Sequence, residues 1–191
     1  MKEKHKGVVM AIVVGFLMIT SVIGIMFVNY GDVGTNSLKY GNYNFQATNN
    51  GIVTKINGKD VPFTYFPTEI QNIPVSNNTI ERIKNSKYIL TTSYSNSSIK
   101  QAIASVQYDI GISMMDHFNS YVLVGFTDKF RNFPEVNCNN ATQYVPVIKL
   151  QEGNSTLIYE DGQCIILEAP DENEMIKLRD RLMFGYLGVM K

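Results

Sequence analysis

The sequence predicts one α/β (α+β) domain carried behind a single transmembrane helix. Three observations predict it. Residues 7–28 are an apolar run without a charged residue. Strand-like segments on either side of Asn57-Gly58 read as a β-meander. Two further strand signals, 88–94 and 121–126, bracket a helical period and so make a βαβ unit.

The apolar run follows a short basic head, residues 1–6, with Lys2, Lys4 and Lys6. At 1.5 Å per residue such a run reaches roughly 33 Å, enough to cross a hydrocarbon core of about 30 Å. It exceeds the apolar core of a cleaved signal peptide, and no small-x-small pair stands at its exit, Ile25-Met26-Phe27-Val28-Asn29-Tyr30. The reading is therefore a retained signal anchor, contacting the lipid bilayer through 7–28. In a bilayer it must be helical, because only a helix satisfies each backbone group internally. No Lys or Arg falls between Asn29 and Leu38. The positive-inside rule places the N-terminus in the cytoplasm and the rest outside the cell membrane. The small-residue pairs Ala11/Gly15 and Thr20/Gly24 lie on roughly opposite helix faces and form no pairing stripe.

A linker at 29–41, rich in Gly, Asn and Tyr, separates the span from an extracytoplasmic domain at 42–191. The meander is expected as strands 43–48, 52–56 and 61–66. The first two meet at Asn49-Asn50-Gly51, the last two at Asn57-Gly58. Pro62 lacks a ladder donor and marks the third as an edge strand. A short helix over 79–85 is expected behind an Asn77 or Asn78 cap. Then come strand 88–94, the segment Ser95-Asn96-Ser97-Ser98, and a helix to about Met115. Ile99, Ile103, Val106, Ile110 and Met114 keep its period, and Ser98 with Gln101 suggests a capping box. Strand 121–126 and a long loop, 127–144, follow. Strands 145–150, 156–159 and 164–168 come next, the last two forming a hairpin.

The final helix starts at Asp171, with Glu172 and Glu174 suited to its positive end. Its tail, 182–190, is apolar nearly all round. That implies burial under the domain's own sheet or, alternatively, contact with a protein partner or the membrane surface.

Composition narrows the chemistry. The chain has 17 basic and 17 acidic residues, and removing the head leaves a balance of about −2. No basic run survives outside the head, so nucleic acid is not an expected partner. In an oxidising compartment Cys138 and Cys164 have one possible pairing; two buried free thiols are the alternative. Asn77, Asn96, Asn140 and Asn154 open Asn-x-Ser/Thr sequons, a weak sign of glycosylation in a chain this rich in Asn, Ser and Thr.

The final third carries a resemblance. It lies in Cys164-Ile-Ile-Leu-Glu-Ala, the acidic helix start, Lys177-Leu-Arg-Asp-Arg-Leu and Tyr186-Leu-Gly-Val-Met190, with the Cys-x-Asn-Ala-Thr stretch at Cys138 and the anchor. Together these resemble the ends of small, uncharacterised single-span proteins from archaeal genomes. The resemblance implies an archaeal surface location and a paired Cys138–Cys164. It implies no activity.

No catalytic constellation stands out. His117 is the outer domain's one histidine, and its neighbour Asp116 is adjacent in sequence, a poor arrangement for an Asp–His pair. Glu135, Glu152, Glu160 and Glu168 are scattered, so no acid pair is placed. There is no phosphate loop, dinucleotide fingerprint or metal-ligand spacing, and no cofactor is expected. The candidate site is geometric. Ligands of parallel sheets bind beyond the carboxyl ends of strands. That places a crevice at Ser95, Asn96, Ser97 and Ser98, beside Thr127 and Asp128, with hydroxyls and amides at a helix N-terminus. Three functions remain open: a non-enzymatic interaction or envelope protein, the leading expectation; a small-molecule sensor or carrier using this crevice; and an envelope enzyme on an unfamiliar scaffold.

Overall fold

A computed structural model describes residues 37–49 and 51–190. The head, the apolar run 7–28 and linker residues 29–36 lie outside the described residues. Among the described residues, no helix is long and apolar enough to cross a membrane.

Residues Asn36–Lys191 make one compact α+β unit with two sheets. The first is an antiparallel meander of β1 (Ser37–Tyr40), β2 (Tyr43–Thr48), β3 (Gly51–Ile56) and β4 (Lys59–Phe63), in chain order. The expected linker thus contains a strand, because Leu38 pairs with Phe45 and packs on the core. Period-2 alternation sends Phe45, Ile52, Ile56, Val61 and Phe63 inward and Gln46, Lys55 and Asp60 outward. Asn57 and Gly58 both take positive φ, 52° and 81°, as a tight hairpin turn demands. Pro62 does sit on an edge strand.

Two short helices follow, α1 (Pro67–Ile70) and α2 (Asn77–Asn85). The cap of α2 is Ser76, not Asn77 or Asn78: its hydroxyl accepts the Thr79 amide at 3.0 Å. The second sheet holds β5 (Tyr88–Thr92), β6 (Tyr121–Val124), β7 (Val147–Glu152), β8 (Leu157–Asp161) and β9 (Cys164–Ala169). Their order is β6-β5-β7-β9-β8. All neighbours are parallel except the β8–β9 hairpin. The predicted βαβ unit is present as β5, α3 (Lys100–Phe118) and β6. Helix α3 runs past the expected Met115 and stops at Asn119, whose φ of 51° is a left-handed cap. The extra turn brings Phe118 edge-on to Tyr186, ring centroids 5.9 Å apart.

The final helix, α4 (Glu172–Tyr186), begins behind Asp171, which accepts the Glu174 amide at 2.9 Å. It packs against α3, β9 and α2. Phe184 lies within ring contact of Phe45 and Phe63 on the meander, at 5.7 and 4.2 Å. Leu182, Phe184, Tyr186, Val189 and Met190 are all buried in the domain itself.

Strand β6 ends at Val124, two residues short of the expectation, although the Gly125 and Thr127 amides still reach the Thr91 and Ser93 carbonyls at 2.9 Å and Phe126 bridges Glu135. The long loop returns over the sheet, and Val136 lies against Gly125. A Cβ at Gly125 would stand 2.4 Å from Val136 Cγ2 and 2.7 Å from the Pro134 carbonyl. Gly125→Ala is therefore expected to destabilise by about 1–3 kcal/mol through overpacking. Urea unfolding checks this; an unchanged midpoint would show that the loop yields freely.

Candidate functional site

Strand order locates the candidate site. From β5 the chain moves to β6 on one side; from β7 it moves to the edge strand β8 on the other and returns as β9 between them. The order therefore diverges between β5 and β7, the place where a parallel sheet opens a crevice at its carboxyl edge. A cavity of about 360 Å³ lies there, lined by Tyr94, Asn96, Ser97, Leu150, Gln151 and Glu152.

Of the six residues expected from sequence, Asn96 and Ser97 line this cavity. The others hold the loops together. Asp128 receives the Ser95 amide at 2.8 Å and the Ser95 hydroxyl at 2.5 Å. Those hydrogen bonds hold its carboxyl below the ordinary range. Thr127 Oγ1 lies 3.2 Å from Thr92 Oγ1, and Thr92 donates to the Val136 carbonyl. Ser98 donates its amide to Glu152 Oε2 at 3.2 Å, and Ser97 its hydroxyl at 3.3 Å. The expected Ser98–Gln101 capping box does not form. Helix α3 begins at Lys100 behind Ile99, which supplies no side-chain cap, and the β7 carboxylate ties down the loop just before it. That contact sets a carboxylate beside the α3 terminus that was expected to attract an anion. Hydrogen bonds from Ser98 and Ser97 also hold the Glu152 carboxyl low.

Beside the crevice, one face of the sheet carries polar groups that sequence reasoning missed. Gln151 donates to Glu168 Oε2 at 2.9 Å and lies 3.4 Å from the Tyr159 hydroxyl. That hydroxyl is also 3.4 Å from Glu168 Oε2. Burial and the Glu168 charge raise the Tyr159 pKa. The Lys149 ammonium stands over the Tyr94 ring, 5.3 Å from its centre. Period-2 spacing of Lys149 and Gln151 was a signal in the sequence, but only strand order brings Tyr94, Tyr159 and Glu168 to them.

The remaining candidates have other duties. Asp116 pairs with Lys59 at 3.4 Å, and burial followed by the Lys59 charge lowers the His117 pKa. Glu160 receives hydrogen bonds from Ser76, Asn78 and Thr79 at the start of α2. Those from Ser76 and Thr79 do most to lower its pKa. Among the described residues, no group of three or more His, Cys, Asp or Glu is placed to hold a metal ion. Cys138 and Cys164 are bonded, their Cα atoms 5.2 Å apart. Asn77, Asn96, Asn140 and Asn154 are all exposed.

A pH dependence follows from these carboxylates. Asp128, Glu152 and Glu160 all have folded pKa values below their ordinary ones. Their stabilisation is present above the unfolded carboxylate pKa and is lost as pH falls through the folded one. The melting temperature should therefore drop on acidification, and Glu160→Gln should flatten part of that acid limb. A profile unchanged by Glu160→Gln would mean that the α2 cap does not depend on charge.

Comparison of the chain with protein-family models, with curated proteins and with solved structures found no match.

Proposed function

We propose that this chain is a non-catalytic recognition domain, held outside the cell membrane by its apolar N-terminal run and binding its ligand in the crevice between β5 and β7. The resemblance to archaeal single-span proteins fits that location. The observation that carries the reading is the position of the crevice at the divergence of strand order, where its polar lining is built from two separate strand ends. The carboxylates around it support a binding role over proton transfer. Asp128 and Glu152 are each tied to serine hydroxyls and amides that fix loops.

A thermal-shift screen of small polar compounds on the full-length chain tests the site. A compound that binds there raises the melting temperature of the parent but not of Tyr94→Ala or Gln151→Ala. Equal stabilisation of parent and variants removes the crevice. Chemical conversion of the bound compound removes the non-catalytic part. Alkaline carbonate extraction tests the anchor: the full chain should stay with the membranes, and deletion of 7–28 should release it.

A further inference from the structure

The face beside the crevice narrows the class of ligand. Register places Thr92 beside Lys149, Lys149 beside Ile166, and Ile166 beside Tyr159. The next row is Gln151, Glu168 and Leu157. Tyr94 at the end of β5 and Tyr159 on β8 therefore flank a polar centre of Lys149, Gln151 and Glu168. Three strand spacings separate them, roughly 14 Å. Both rings are substantially exposed, at 47% and 39%.

The centre is held in place. Gln151 and Glu168 are joined at 2.9 Å, and Glu168 lies across the α-carbon of Gly153. A Cβ there would stand 2.2 Å from Glu168 Cδ, so the space for this carboxylate depends on glycine.

Several ligand classes fit poorly. A peptide strand cannot add here, because β5, β7 and β9 are each paired on both sides. An anion meets Glu168 and Glu152, the latter held by the Ser98 amide. A cation meets Lys149. An apolar molecule finds an open surface rather than an enclosed pocket. What remains is a neutral ligand rich in hydroxyls, with flat C–H faces for two tyrosine rings. The rings offer an apolar body and a polar tip. The Gln151 amide and the Glu168 carboxylate offer donors and acceptors for neighbouring hydroxyls.

We infer that the ligand is a neutral oligosaccharide lying across the sheet from Tyr94 to Tyr159. This rests on the recognition role proposed above and adds the chemistry of what is recognised. The span exceeds one sugar ring, so a trisaccharide should bind better than its monosaccharide.

The test is a titration of the full-length chain with chitotriose, cellotriose and mannotriose, and with the matching monosaccharides. Tyrosine ring resonances report binding by NMR; the chain has 11 Tyr and no Trp. At least one trisaccharide should shift both Tyr94 and Tyr159, and its monosaccharide should bind at least about fivefold more weakly. Tyr94→Ala and Tyr159→Ala should each weaken binding about five- to tenfold. Gly153→Val, checked for an unchanged fold, should weaken it too by displacing Glu168. If no trisaccharide shifts either ring at about 10 mM, the oligosaccharide assignment is wrong. The same holds if the shifts persist in the double tyrosine variant. Inorganic phosphate and an acidic peptide serve as controls. Should one of them shift the same rings instead, the ligand class fails while the recognition role stands. If the thermal-shift hits also ignore Tyr94 and Gln151, the recognition role fails as well.

Discussion

Asp180→Ala is expected to cost about 3–5 kcal/mol, a large fraction of the roughly 5–15 kcal/mol that holds an ordinary domain folded. Asp180 is fully buried. One carboxylate oxygen accepts the amides of Thr64 and Tyr65, at 2.8 and 2.9 Å, where the chain leaves β4. The other accepts Arg179 Nε at 2.9 Å and Nη2 at 2.7 Å. Arg179 continues to Thr64 Oγ1 at 2.8 Å and to Asp109 on α3. A single carboxylate therefore joins the meander, α3 and α4. Its removal orphans two amides and leaves a buried guanidinium with one partly exposed acid. Uncompensated buried charge is the costly outcome; the intact pair is not itself a large source of stability. Asp180→Asn keeps the shape and one acceptor and should cost less than Ala. Urea unfolding of parent, Asn and Ala variants orders the three. A loss under about 1 kcal/mol for Ala would show that water reaches the network.

That network shows where sequence reasoning stops. The alternation in β2, β3 and β4, the Asn57-Gly58 turn and the βαβ unit are local features, and the chain displays them directly. Helical spacing likewise places the apolar residues of α3, since Ile103, Val106, Ile110 and Met114 are all buried. Nothing local says that Arg179 and Asp180, between Leu178 and Leu182, turn inward to meet residues 115 positions away. The candidate site divides in the same way. A crevice at the carboxyl ends of β5 and its neighbour follows from the βαβ pattern. Its partner strand does not: Thr127 and Asp128, after β6, were expected across the gap, whereas Gln151 and Glu152 of β7 line it. The order β6-β5-β7-β9-β8 decides that, and strand order depends on packing between distant segments. Glu152 makes the same point, since it ties down a loop more than fifty positions earlier.

Breaking the Cys138–Cys164 bond is the second large expected effect, and its local consequences are as specific as its size. The two residues are 26 positions apart. In the chain-entropy model a loop of that length is worth about 3–4 kcal/mol to the folded state. The bond fastens the short 3-10 turn at Cys138–Asn140 to the first residue of β9. Cys164 is fully buried in a small cluster with Val136, Val147 and Ile166, so Cys138→Ser with Cys164→Ala preserves most of that packing. The double variant should lower the urea midpoint by an amount matching about 3 kcal/mol, as should reduction of the parent. The loop over 127–144 should become the first site of proteolysis, because its covalent tie to β9 is gone and the hydrogen bonds of Thr127, Asp128 and Val136, with the Val136–Gly125 contact, are left to hold it. The crevice should respond least. It lies at the carboxyl ends of β5 and β7, whereas Cys164 begins β9 at the opposite end of the parallel strands. Tyr94 and Tyr159 resonances should therefore stay near their oxidised positions under conditions where the protein remains folded. A collapse of those resonances alongside early loop cleavage would mean that the loop and the candidate site form one cooperative unit, and the staple would then belong to the site as well as to the fold.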